Sequence, residues 1–228
     1  MFVDRTFFAE DELGFFQTGK EFRSVSSPTV SLIHDNALFG YYGPVNGQRS
    51  NLTFSPSFAW FDNGLAYRTV TLDTRRYWDL THGYTFAGRL LAGVSDGRDP
   101  QAFRVGGFST IRGFSDFDST GSRVALVNAE LRFPFIQQLG VVGPVPLGVF
   151  NLRGALFTDA GFAWDRGETV KVWQRVDGQR RLRDLMFGYG TGIRTALYFL
   201  ILKLDVAWRT DFVHTSQPRY HFSIGPEF

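Results

Sequence analysis

Arginine is the residue type with most chemical reach in this chain. The 228 residues include 21 Arg against 3 Lys. The guanidinium is a planar fork that meets carboxylates and phosphates through paired hydrogen bonds, although a base-composition bias accounts for such an excess equally well. Arg112 stands out because it lies in Phe103–Phe114, hemmed in by Gly106, Gly107 and Gly113. The acids Glu130 and Asp159 follow in strongly alternating segments. Other candidates are weaker. His34, His82, His214 and His221 show no ligand spacing, and the absence of Cys removes thiolate metal sites, thiol nucleophiles and disulfides. Ser223 and His221 are two residues apart and share a strand face, as in a Ser/His lipid hydrolase, but that face is the polar one. The loop Asp165–Leu185 sets Arg166, Lys171, Arg175, Arg180, Arg181 and Arg183 against four acids. It reads as a solvated loop, with contact to anionic headgroups or surface glycans as its functional version. These residues predict no cofactor, no metal and no enzymatic activity. A formal net charge of +2 argues against a nucleic-acid partner.

The elements that must position these residues are strands. No run approaches the roughly 18 apolar residues of a spanning helix, whereas period-two alternation pervades the chain. Leu200, Leu202, Leu204, Val206, Trp208 and Phe212 oppose Lys203, Asp205, Arg209 and Asp211. Tyr220, Phe222, Ile224 and Phe228 oppose Arg219, His221, Ser223 and Glu227. Phe187–Leu197 alternates apolar residues with Gly188, Gly190, Gly192 and Arg194. Similar patterns run through 150–162, 125–133, 84–94 and 52–60, and Gly64–Tyr77 is ambiguous because Arg68 and Arg76 fall beside Val70 and Leu72. The apolar faces extend over about 10 residues, the length of a membrane-spanning strand, and the opposite faces carry small and charged residues of both signs.

This predicts an all-β fold, an antiparallel transmembrane β-barrel of about eight strands with short turns on one rim and long loops on the other. Ser27–Asn36, anchored only by Val30 and Leu32, is left out of the barrel. Residues 1–47 are then an N-terminal periplasmic or lumen-associated segment and 48–228 the barrel. With an even strand count both termini lie on the periplasmic side. Met1–Arg5 shows no basic region leading into an apolar stretch, so the chain is either cytoplasmic or has lost a signal.

The stretch Gly106-Gly107 followed by Ile111-Arg112-Gly113-Phe114 resembles the loop signature of the outer-membrane barrel assembly factor superfamily, which includes the Bam and Tam assembly factors and two-partner secretion transporters. Asn128–Pro134 is similar to the family strand that follows. Phe157-Thr158-Asp159-Ala160-Gly161 is similar to its Phe-x-Asp-x-Gly strand. Tyr220, Phe222, Ile224, Gly225 and terminal Phe228 look like the C-terminal signal read by the assembly machinery, and Tyr42-Gly43-Pro44 with Gly47 is a further point of likeness. The resemblance covers roughly residues 30–228.

The resemblance implies a bacterial outer-membrane location, outer-membrane lipids and the assembly machinery as partners, and a long extracellular loop folded into the lumen with Arg112 at its tip. A guanidinium buried there requires carboxylates, and Glu130 and Asp159, on the polar faces of the next two strands, are the expected partners. Gly106, Gly107 and Gly113 would supply positive φ or close backbone approach. Family members have about sixteen strands and periplasmic docking domains. This chain has about half those strands, so a wide pore is not expected, and it is either a short member or a C-terminal half-barrel. Half of such a sheet has two edges that hydrocarbon cannot satisfy. Closure on itself is the favoured outcome, with a homodimer as the other. The functional expectation is a structural or accessory part in outer-membrane protein assembly, with a lipid-acting barrel enzyme or a soluble barrel holding an apolar ligand as alternatives.

Overall fold

The computed structural model describes residues 2–10, 16–59, 64–141, 147–197 and 200–225. It is all β. In chain order the strands are β1 (Phe2–Glu10), β2 (Phe16–Ser24), β3 (Val30–Asp35), β4 (Leu38–Phe39), β5 (Pro44–Ser57), β6 (Tyr67–Thr81), β7 (Tyr84–Gly97), β8 (Phe103–Val105) and β9 (Ser119–Gly121). There follow β10 (Arg123–Val141), β11 (Leu147–Trp164), β12 (Trp173–Val176), β13 (Gln179–Leu182), β14 (Met186–Leu197), β15 (Leu200–Arg209) and β16 (Arg219–Ile224).

The main sheet runs β16-β15-β14-β11-β10-β7-β6-β5-β3, every neighbouring pair antiparallel, with β4 added beside β5. Three two-stranded ladders, β1-β2, β8-β9 and β12-β13, stand apart from it. About eight strands were expected; among the described residues the path of the sheet has nine, one of them β3, the segment left out of the barrel. Its place is fixed by a partner on β5 as well as by apolar anchors: Ser31 Oγ meets Thr53 Oγ1 at 2.9 Å, and Arg49 Nε donates to Asp35 Oδ2 at 2.9 Å. The sheet therefore begins on the N-terminal side of residue 48. It is also open, since no register joins β3 to β16 among the described residues.

Alternation sets which face each side chain takes, and the burial is inverted relative to a water-soluble core. Along β10, Leu126, Asn128, Glu130 and Arg132 are buried while Val127 between them is 50% exposed. On β15, Asp205 is buried and Leu204 exposed. On β16, Tyr220, Phe222 and Ile224 are all exposed. Aromatic pairs mark both ends of the apolar face. Phe162–Trp164 (4.9 Å between centroids), Tyr189–Trp208 (5.9 Å) and Phe187–Phe212 (5.0 Å) lie at the long-loop end. Trp78–Phe86 (5.4 Å) and Tyr84–Phe133 (6.2 Å) lie at the short-turn end.

Local irregularities have chemical causes. The β10–β11 register shifts between Pro134 and Ile136, where proline offers no N–H to the ladder. The β6–β7 turn places Gly83 at φ +83°. β5 stops at Ser57 and β6 starts at Tyr67. The Pro144–Pro146 connection, the tip at 198–199, the acidic residues 11–12 and Phe228 lie outside the described residues.

Candidate functional site: an arginine clamp under the β7–β10 loop

Between β7 and β10 the chain makes one excursion, residues 98–122, stiffened by the β8–β9 ladder. Its tip folds onto the polar face of the sheet. Gly106 and Gly107 reverse the chain at φ +123° and +85°, conformations that L side chains avoid. The Thr110 hydroxyl closes the turn, donating to Gly106 O and accepting from Gly106 N–H, both at 2.8 Å. Ile111 is fully buried with Val105, Val124 and Leu126, and Phe114 packs against this cluster.

Register arranges the sheet beneath the tip in three rows. Asn128, Asp159, Gly188 and Arg209 align across β10, β11, β14 and β15. Glu130, Phe157, Gly190 and Ala207 form the next row, and Arg132, Ala155, Gly192 and Asp205 the third. The three glycines of β14 thus sit in the middle of every row. A Cβ on Gly188 would strike the Arg112 carbonyl oxygen, one on Gly190 the Val206 carbonyl and the Phe157 ring, and one on Gly192 the Asp205 carboxylate. Glycine at alternate positions of this strand leaves the space that the loop tip and its ion pairs fill.

Arg112, 4% exposed, fills that space. Its Nε and Nη2 donate to Asp159 Oδ2 and Oδ1 at 2.8 and 3.0 Å, a bidentate pair. Nη1 donates to Glu130 Oε2 at 2.7 Å and to Asp205 Oδ2 at 3.3 Å, and its backbone N–H also reaches Asp159, at 3.1 Å. The guanidinium carbon stands 3.4 Å from the centroid of the Phe157 ring, a cation–π contact stacked on the ion pairs. The acids are shared with further cations: Arg132 Nε donates to Glu130 Oε1 at 3.0 Å, and Arg194 pairs with Asp205 and approaches Glu130 at 3.5 Å. Three buried guanidiniums face three buried carboxylates, so the cluster is neutral. That balance allows it to exist away from water, where one unmatched charge costs several kcal/mol.

Polar contacts fasten the rest of the tip. Asn128 Nδ2 donates to Thr110 O at 2.6 Å and to Asp159 Oδ1 at 2.8 Å, and Arg89 donates to Ser109 O at 3.0 Å. Gly113, at φ +92°, donates its N–H to His221 Nε2 at 3.2 Å. Arg219 donates to Ser115 Oγ at 2.6 Å. The tip is held by β7, β10, β11, β15 and β16 together.

The structure therefore brings together Arg112, Glu130 and Asp159, with Gly106, Gly107, Ile111, Gly113 and Phe114 shaping the tip. Phe157 is a wall of the clamp. Gly161 packs against β10, where a Cβ would meet Leu126 and the Ala125 carbonyl. Tyr220, Phe222 and Ile224 lie apart, on the exposed face of β16, and Gly225 N–H donates to Ile201 O at 2.9 Å. Asp205, Arg194, Arg132 and Asn128 belong to the cluster and were not singled out. Alternation puts each on a polar face, but only register shows that they converge. His221 serves the loop as a hydrogen-bond acceptor. Among the described residues no group of three or more His, Asp or Glu forms a metal site.

The fold is similar to that of a solved structure. The chain superposes with a TM-score of 0.62 on the crystal structure of BamA from Haemophilus ducreyi lacking POTRA domains 1–3, at 15% sequence identity. The match covers 96% of this chain and 46% of the BamA chain, so this chain spans about half the length of that protein. No curated protein sequence matches it. The Omp85 superfamily domain matches residues 19–228, and the chain belongs to the Omp85 superfamily.

Proposed function

We propose that the chain forms part of the wall of a bacterial outer-membrane β-barrel, a surface-antigen type barrel, and acts as a structural or accessory component of outer-membrane protein assembly. The observation that carries this reading is the inverted burial: Arg112, Glu130, Arg132, Asp159 and Arg194 inside, with Leu204, Phe222, Val127 and Leu156 exposed. Hydrocarbon welcomes such a face and water does not. Aromatic pairs at both ends of the apolar face match the girdles of spanning barrels.

The clamped tip occupies the polar side, so the reading gives the chain no wide pore. The backbone edges of β3 and β16 are covered in the membrane, because bilayer satisfies no free N–H or C=O. β3–β16 closure gives crosslinks within one chain, and pairing with a second copy gives crosslinks between chains. A lipid-hydrolysing role through Ser223 and His221 is disfavoured by the commitment of His221 Nε2 to Gly113.

The test is expression in a Gram-negative host with photo-crosslinking residues at Leu204 and Phe222. The expected outcome is fractionation with the outer membrane and crosslinks to lipid and to newly made barrel proteins or assembly-machinery subunits. Recovery in the soluble fraction refutes the membrane reading. Crosslinks to lipid alone refute the assembly role.

A further inference from the structure

The apolar face carries one cationic patch at its long-loop end. Arg68 on β6 stands directly opposite Asp96 on β7. Arg123 on β10 stands opposite Val94 on one side and Trp164 on the other, which makes it a diagonal neighbour of Asp96. Arg166, beyond the end of β11, donates to both Asp96 oxygens at 2.9 and 3.2 Å. Arg166 thus pairs with the Asp96 carboxylate, and Arg68 and Arg123 flank it in the register. The adjoining acids are engaged elsewhere: Asp165 accepts from Ser122 N–H at 2.8 Å, Glu168 from Asp165 N–H at 2.9 Å, and Asp99 from Arg98 Nε at 3.0 Å.

Donor capacity is left over. Arg123 Nε is buried with no hydrogen-bond partner, and among the described residues Arg68 makes no side-chain hydrogen bond, although a guanidinium has five N–H groups to place. Beside Arg68 lies a groove of about 320 Å³ lined by Pro56, Phe58, Tyr67, Gly97 and Arg98. On the same face Phe54, Val70 and Val94 form an exposed apolar row that ends at Arg123. Trp164, paired with Phe162, puts Arg123 at the level of the aromatic girdle.

We propose that this rim binds a lipid bearing a phosphomonoester headgroup. The phosphate sits between the Arg68 and Arg123 forks and the acyl chains descend along Val70 and Leu72 on β6 and Val94 and Leu90 on β7. Planar forks at interface depth match phosphate oxygens, and toward the middle of the face each strand continues with apolar side chains, Val70 and Leu72 on β6, Val94 and Leu90 on β7, and Val127 on β10. The inference rests on the membrane reading above, because it requires this face to meet lipid.

The test uses the purified full chain in phosphatidylcholine nanodiscs containing small equal amounts of phosphatidic acid and diacylglycerol, with retained lipid read by native mass spectrometry. Wild type is expected to retain phosphatidic acid about tenfold over diacylglycerol, the size of a lost charge-assisted hydrogen-bond pair. Arg68→Gln/Arg123→Gln is expected to bring the ratio to about one while keeping heat-modifiable migration on gels. Arg76→Gln, at the opposite end of the face beside Trp78, leaves the ratio unchanged. Equal retention by wild type, undiminished retention by the double variant, or full displacement by millimolar inorganic phosphate overturns the lipid site while leaving the membrane reading intact. A chain that does not enter the discs overturns both.

Discussion

Arg112 and Asp159 meet through two side-by-side bonds of 2.8 and 3.0 Å, although 47 residues separate them and the former sits on a loop. The pair fastens an excursion of the chain to the centre of the sheet. Arg112→Ala leaves Asp159 as a buried carboxylate without its cation and takes from Glu130 one of its three guanidinium neighbours, a loss of about 3–5 kcal/mol. Arg112→Lys keeps the charge and loses the fork, costing about 1.5–3 kcal/mol. The unfolding midpoint and gel heat-modifiability read both. An Arg112→Ala protein as stable as wild type contradicts the clamp, the more so if Glu130→Ala is not.

The contributions within the cluster are unequal. Asp159 takes two side-chain bonds and a backbone bond from Arg112, whereas Asp205 takes one at 3.3 Å. Double-mutant cycles are expected to give a coupling of about 2–3 kcal/mol for Arg112 with Asp159 and about 0.5–1 kcal/mol for Arg112 with Asp205. Equal couplings would mean that the cluster acts through net charge alone.

The glycines of β14 make a steric prediction. Gly188→Ala and Gly190→Ala each drive a methyl into backbone carbonyls, and each is expected to cost about 1–3 kcal/mol and to expose the 98–122 loop to protease. Gly88→Ala is the control, because its methyl would make ordinary contact with Trp78 at 3.4 Å, and it is expected to be tolerated.

Much of this arrangement was legible in the chain. Alternation put Glu130, Asp159, Asp205 and Arg194 on polar faces, and the Gly106–Phe114 pattern marked the loop. Two things were not legible. Which polar residues share a row depends on register, which period-two patterning leaves free by two-residue steps, so Asp205 did not emerge as a partner of Arg112, nor Arg194 as a partner of Glu130. β3 was discounted for its few apolar anchors, yet a strand at the end of a sheet is held mainly by its ladder and by pairs such as Asp35–Arg49.

Acid is expected to loosen the β15–β16 loop. Asp211 Oδ1 accepts the N–H groups of His214 and Val213, at 2.6 and 2.9 Å, and these bonds hold its carboxyl below the usual carboxylate range. A depressed carboxylate contributes stability that is complete above its unfolded value, about 3.9, and that fades as pH falls through the lower folded value. Hydrogen exchange at Val213 and His214 should therefore quicken in strong acid relative to neighbouring strand amides. In Asp211→Asn, which cannot titrate there, that acid step should vanish.

The most direct measurement is spin-label accessibility in bilayers, with single labels at Val127, Leu156 and Leu204 on one face and at Thr85 and Ser95 on the other. Labels on the first three are expected to collide with dissolved oxygen far more than with a water-soluble nickel chelate, and the last two are expected to be shielded from oxygen. High nickel accessibility at Val127, Leu156 and Leu204 would mean that water, not hydrocarbon, covers the apolar face, and the membrane-wall reading would be wrong.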